Sequence, residues 1–158
     1  MELGEKLERG WRRSTEDLLI FAVLLGFGFF INREVELKGL YMDDLYLWSC
    51  YGEQSFMEYV FPMGGSRFRF VFYLASWLEL LFLGGHVEWM APFNILLNSL
   101  IAFSIYRMCL SFSSGRKAVS LVLALVFLSS RMAYYQIGQF YGLMESLGLW
   151  AAVGILYF

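Results

Sequence analysis

The sequence predicts an all-α protein, a polytopic transmembrane helical bundle with interfacial, juxtamembrane helices in its first outer loop. Three observations carry that reading. Of 158 residues, 59% are hydrophobic, 20% aromatic and only 16% charged, more apolar than a water-soluble domain of this length normally is. Uncharged runs at 18–31, 89–106 and 118–130 are longer than typical strands. The segments between them collect the charges and the turn formers, including Pro62-Met63-Gly64-Gly65-Ser66.

Residues 1–17 mix Lys6, Arg9, Arg12 and Arg13 with five acids, while Leu3, Leu7 and Trp11 recur on one helical face. That pattern suits a short interfacial helix on the membrane surface, and four bases before the first span place this end in the cytoplasm. Residues 18–31 then cross outward. Fourteen residues fall short of the roughly 20 a span takes, so flanking residues must help. The run meets Asn32-Arg33-Glu34 without an Ala-x-Ala-like site, so it reads as a retained anchor rather than a cleaved signal.

Residues 32–88 form an extracytoplasmic loop with short amphipathic helices after Asp43-Asp44 and around Phe56 to Phe61. Within it, residues 70–83 are apolar except for Glu79. If they crossed the membrane, Arg107, Arg116 and Lys117 would fall outside and Asp44 and Glu145 would face opposite compartments. If they lie beside the loop, the bases fall inside, as the positive-inside rule prefers, and both acidic sites share the outer face; we take this second arrangement. Spans at 89–106 and 118–130 follow, then a second outer loop at 131–145. Residues 146–158 begin a further span. Thirteen residues give about 20 Å of helix against a hydrocarbon core of about 30 Å, which leads us to expect a fragment of a longer chain.

The net charge of −2 with mixed signs leaves no basic stripe for a nucleic-acid backbone. Cys50 and Cys109 lack metal or redox spacing and read as free thiols. A single histidine, His86, excludes a multi-His zinc site and is most simply a loop residue; carboxylates remain as ligands, which would suit a hard divalent cation, Mg2+ or Mn2+.

The adjacent acids Asp43 and Asp44 read either as a general base with a metal-binding or orienting neighbour or as a helix N-cap, Asp44 accepting backbone N–H groups at the start of the following turn. Spacing alone favours the cap. Glu145 interrupts an apolar stretch, which marks either a functional group or an interface residue opening a helix. Glu79 carries less weight, since its carboxylate can face headgroups. Arg67, Arg69 and Arg131 read as phosphate-binding forks or as snorkelling anchors, the anchor being the simpler role for any one of them.

In order, Tyr41-Met42-Asp43-Asp44-Leu45-Tyr46 after a first span, Arg67-Phe68-Arg69-Phe70 before an aromatic helix ending Gly84-Gly85, the run Asn94 to Tyr106, and Ser130-Arg131 through Met144-Glu145 resemble the GT-C superfamily of integral-membrane glycosyltransferases, such as protein mannosyltransferases and aminoarabinose transferases. The resemblance covers nearly the whole chain. It implies transfer of a sugar from a polyprenyl-phosphate-linked donor to an acceptor at the outer face of a bacterial-type cytoplasmic membrane. Asp43 or Asp44 would then activate the acceptor hydroxyl, with Asp43, the first of the pair, preferred. Glu145 takes the place of the second-loop acid, with Asp44 and Glu145 as metal ligands, and Arg67, Arg69 or Arg131 stabilises the leaving phosphate. Glu145 stands where aspartate is common, and the usual proline is absent after the first-loop base. Members of that superfamily carry further spans, so a second polypeptide could complete the fold. The rival reading is a non-catalytic small multi-span membrane protein, a scaffold or transporter fragment.

Overall fold

A computed structural model describes the backbone at residues 2–36, 40, 43–63, 69–140 and 142–157, and side chains from Ser14 onward within those ranges. The described residues are helical, without strands. α1 (Glu2–Ile31) is followed by three helices that precede the central one: α2 (Asp43–Glu53), α3 (Phe56–Val60) and α4 (Phe70–Leu83). A 3-10 turn at Val87–Trp89 leads into α5 (Met90–Phe112), and then come α6 (Lys117–Leu128), α7 (Arg131–Ile137) and α8 (Gly142–Tyr157). Among the described residues two helical stretches are long and apolar enough to cross a membrane, Ser14–Ile31 and Val87–Phe112, and a third if α6 and α7, bent by 54° at their junction, count as one.

α1 differs from the sequence expectation. Instead of a surface helix followed by a separate span, one helix of about 45 Å runs through Asp17 without a break. A change from polar to apolar residues alters what surrounds a helix, but it does not end one; that takes a proline or a cap. The two short helices expected in the first loop are present as α2 and α3. Ser55 and Glu58 form a reciprocal capping box at the start of α3. The stretch after residue 131 divides in two, α7 closing at Gly138 and α8 opening at Gly142.

α5 is the central element, packed against α1, α6, α7 and α8, with buried residues from Met90 to Tyr106. Leu24 of α1, Ala102 and Tyr106 of α5, and Ala124 and Leu128 of α6 form one core. Leu97 and Ile101 pack against Leu143 of α8 in another. Small residues let these helices approach: a Cβ on Gly28 would lie 3.0 Å from Ser99 Oγ and 3.3 Å from Ile95 Cγ2. Trp150 Nε1 donates to Ser104 Oγ at 3.1 Å, joining α8 to α5.

Ion pairs fix one end of this arrangement. Arg107, near the end of α5, pairs with Asp17 of α1, and Lys117, at the start of α6, pairs with Glu16 at 2.6 Å. α1 and α5 are therefore antiparallel. The C-terminal end of α1, the start of α5, α7 and the start of α8 gather at the opposite end, where α2, α3 and α4 also pack through a core containing Leu47, Tyr59, Phe72, Leu80, Met90 and Phe140.

Candidate functional site

At that second end two sequence-distant segments meet on a carboxylate. α2 turns Asp44 and Leu47 inward, and Asp44 Oδ2 accepts a hydrogen bond from the Phe140 backbone N–H at 3.3 Å. The donor is held from behind. Asn94 of α5 donates its side-chain amide to the carbonyls of Gln139 at 3.1 Å and Ile137 at 3.4 Å, and the Phe140 ring is fully buried. The turn between α7 and α8 is thus tied to α5 on one side and to α2 on the other. Gly142 permits its tightness, since a Cβ there would fall 2.3 Å from the Gln136 carbonyl oxygen.

The second carboxyl group of the site is Glu79. On α4 the residues Phe72, Ser76, Glu79 and Leu80 share the buried face, at the spacing of one helical stripe. Glu79 is 5% exposed, and neither of its oxygens has a hydrogen-bond partner among the described residues. Burial, reinforced by the negative charge of Asp44, pushes its carboxyl group up to about 8. At neutral pH it therefore holds a proton. Beside it, the Tyr59 hydroxyl and Ser76 Oγ share a hydrogen bond of 3.0 Å, and burial of Tyr59 pushes its hydroxyl up to about 12, the Ser76 bond working against that shift.

The residues singled out in the sequence separate. Asp43 is exposed on the first turn of α2, and it is Asp44 that reaches the interior. Asp44 Oδ2 serves the α7–α8 turn as well as lying at the start of its own helix; successive helix positions point about 100° apart, so Asp43 faces outward while Asp44 faces in. Glu145 lies on the exposed side of the first turn of α8. Among the described residues no group of three His, Cys, Asp or Glu could hold a metal ion, so the pairing of Asp44 with Glu145 as ligands for Mg2+ or Mn2+ finds no additional donor there. Arg69, half-buried, directs Nη1 to Met144 Sδ at 3.4 Å. Arg131 binds the Tyr135 hydroxyl at 2.7 Å and lies over that ring, one turn along its own helix. Arg67, with Tyr41, Met42 and Gly64-Gly65, lies outside the described residues.

Sequence reasoning gave Glu79 little weight, yet the signal was present: Phe72, Ser76, Glu79 and Leu83 recur at helical spacing in one apolar segment. Chemically, the site offers one buried carboxyl held by a backbone N–H and a second that holds its proton at neutral pH. Glu79, raised by burial and by the charge of Asp44, is thereby a proton-holding neighbour of that acid. The chain matches no protein-family model, no curated protein and no solved structure.

Proposed function

We propose that this chain is a polytopic membrane helical bundle of the GT-C glycosyltransferase type, transferring a sugar from a polyprenyl-phosphate-linked donor to an acceptor at the outer face of the membrane, with its N-terminus in the cytoplasm. The observation that carries the reading is the hydrogen bond from Phe140 to Asp44, by which the two segments assigned to outer loops meet on one buried acid. Asp44, rather than Asp43, takes the part of the base that draws the proton from the acceptor hydroxyl. Arg69 is the cation best situated to meet a lipid-borne phosphate, because it borders an apolar groove of about 520 Å³ formed with Phe70, Met144, Leu147 and Ala151.

A lipid setting is supported by the outer surface. Leu18, Val71, Phe82 and Val126 are each more than half exposed, an inverted distribution that water would penalise. The ion pairs of Arg107 and Lys117 with Asp17 and Glu16 gather bases at the end bearing the N-terminal half of α1, as a cytoplasmic end should.

The test is sugar transfer from a polyprenyl-phosphate donor by the full-length protein in proteoliposomes. Asp44→Asn should lower the rate by about 10²–10⁴-fold, the usual range for a lost general base, while Asp43→Asn stays near the parent. Undiminished transfer by Asp44→Asn would remove the base, and no transfer by the parent with any lipid-linked donor would leave the non-catalytic reading.

A further inference from the structure

A seam of buried polar side chains runs along the face of α5 that meets α7 and α8. Asn94, Asn98, Gln136 and Ser146 are each fully buried. Asn94 Nδ2 donates to the carbonyls of Ile137 and Gln139, and Asn98 Nδ2 donates to the Asn94 carbonyl at 3.0 Å and to Ser146 Oγ at 3.5 Å. Both asparagines thus spend their donors and keep their acceptors. Asn94 Oδ1, Asn98 Oδ1 and both polar atoms of the Gln136 amide, one residue before the Ile137 carbonyl that Asn94 binds, have no hydrogen-bond partner among the described residues. Buried amide groups left in that state are costly. The seam also has slack: the contacts of 3.4 Å to Ile137 and 3.5 Å to Ser146 lie at the outer edge of direct bonding, where a bridging water competes with it.

We propose that the seam is a binding site for an internal water molecule, which donates to Asn94 Oδ1 and Asn98 Oδ1 and accepts from the Gln136 side chain, the one amide of the three left without an acceptor. Asn94 and Asn98 stand one turn apart on α5, so their Cβ atoms are about 5–6 Å from each other, and a water bonded at about 2.8 Å on each side spans that gap. Buried waters typically make about three hydrogen bonds to polar groups of this kind. The mixture of groups selects the guest. A sodium ion suits amide oxygens, but the four side chains are neutral, so its charge stands uncompensated in the bundle and opposes the Gln136 N–H. Water supplies both donors and an acceptor. It also holds the Asn94 amide in the orientation that serves the Ile137 and Gln139 carbonyls, and so it stands behind the turn that offers the Phe140 N–H to Asp44. This site is independent of the transferase reading.

The experiment is water-edited solid-state NMR on the full chain in lipid bilayers. Asn32, Asn94 and Asn98 are its three asparagines, so labelling asparagine alone with nitrogen-15 leaves a spectrum simple enough to assign by substitution. Magnetisation from water should reach the side-chain amides of Asn94 and Asn98 well before it reaches the backbone N–H groups of the same two residues, which are bonded inside α5. Asn98→Leu removes one acceptor and Gln136→Met removes the donor. Each should delay the transfer to the Asn94 side chain until it matches the backbone, with thermal unfolding confirming that the variant is folded. Replacing sodium in the buffer with a bulky organic cation should change nothing. Side-chain transfer in the parent no faster than the backbone, early transfer that survives either substitution, or a signal lost with sodium would each overturn the proposal.

Discussion

Asp44 and Phe140, ninety-six positions apart, are joined by a hydrogen bond from the Phe140 amide to Asp44 Oδ2. The contact closes the end of the molecule where α2, α5, α7 and α8 meet. It also makes Asp44 a group with two separable roles, holding the α7–α8 turn and, under the proposed function, accepting a proton.

Those roles predict different responses. Asp44→Ala strands a buried N–H and should cost about 1–3 kcal/mol of stability, with faster hydrogen exchange at the Phe140 amide. Asp44→Asn keeps an acceptor oxygen and should lose much less stability while losing transfer. Thermal unfolding and amide exchange on both variants check this; an alanine variant with unchanged exchange at Phe140 would show that the bond does not hold the turn.

Glu79 predicts a pH dependence of definite sign. Its carboxyl group is raised from 4.5 to about 8 in the fold, so between those values the folded chain holds a proton that the unfolded chain has released. Stability should therefore fall as pH rises through that window, by at most ~1.4 kcal/mol per pH unit from this one group, and level off above it. Glu79→Met should flatten the slope and raise stability at pH 8, because it replaces an unsatisfied carboxyl with an apolar group. Denaturation curves at pH 5, 6.5 and 8 read this directly, and parallel slopes in parent and variant would exclude Glu79 as the source.

Gly142 and Gly148 form a matched pair on one helix. A Cβ at Gly142 meets the Gln136 carbonyl oxygen at 2.3 Å, whereas one at Gly148 meets nothing within 4 Å. Gly142→Ala should force the α7–α8 turn apart and destabilise by more than ~2 kcal/mol. Gly148→Ala should stabilise by about 0.5–1 kcal/mol through helix propensity. Midpoints of unfolding for the two variants should move in opposite directions.

The sequence makes the long helices visible and the site only in part. α1 and α5 stand out because apolar runs of that length have few alternatives, and α2 and α3 because amphipathic turns follow Asp43-Asp44 and Ser55. Which of Asp43 and Asp44 is buried depends on how α2 is rotated against α5 and the Phe140 turn, a tertiary fact absent from two adjacent identical residues. Glu79 is a different case. Its place on the stripe of Phe72 and Ser76 was readable, but the stripe does not say whether it faces headgroups or a core, and α8 decides that from more than sixty residues away. Asn94 and Asn98 sit fully buried in an uncharged run; their i, i+4 spacing hinted at a polar seam, and only the packing of α7 and α8 against α5 shows what it holds.

The proposed membrane orientation yields the last prediction. Asp43, Arg116 and Glu145 are all exposed. Arg116 adjoins Lys117 at the end paired with Glu16, whereas Asp43 and Glu145 belong to the helix starts near the Asp44–Phe140 contact. With Cys50 and Cys109, both free thiols, replaced by serine, single cysteines at positions 43 and 145 should react with a membrane-impermeant maleimide added to intact cells. A cysteine at 116 should react only after permeabilisation. The pairs Arg107–Asp17 and Lys117–Glu16 join α1, α5 and α6 at the end where Arg116 lies. Labelling of 43 and 145 from opposite faces would separate the two acidic segments that the transferase reading needs together, and it would do so without any assay of activity.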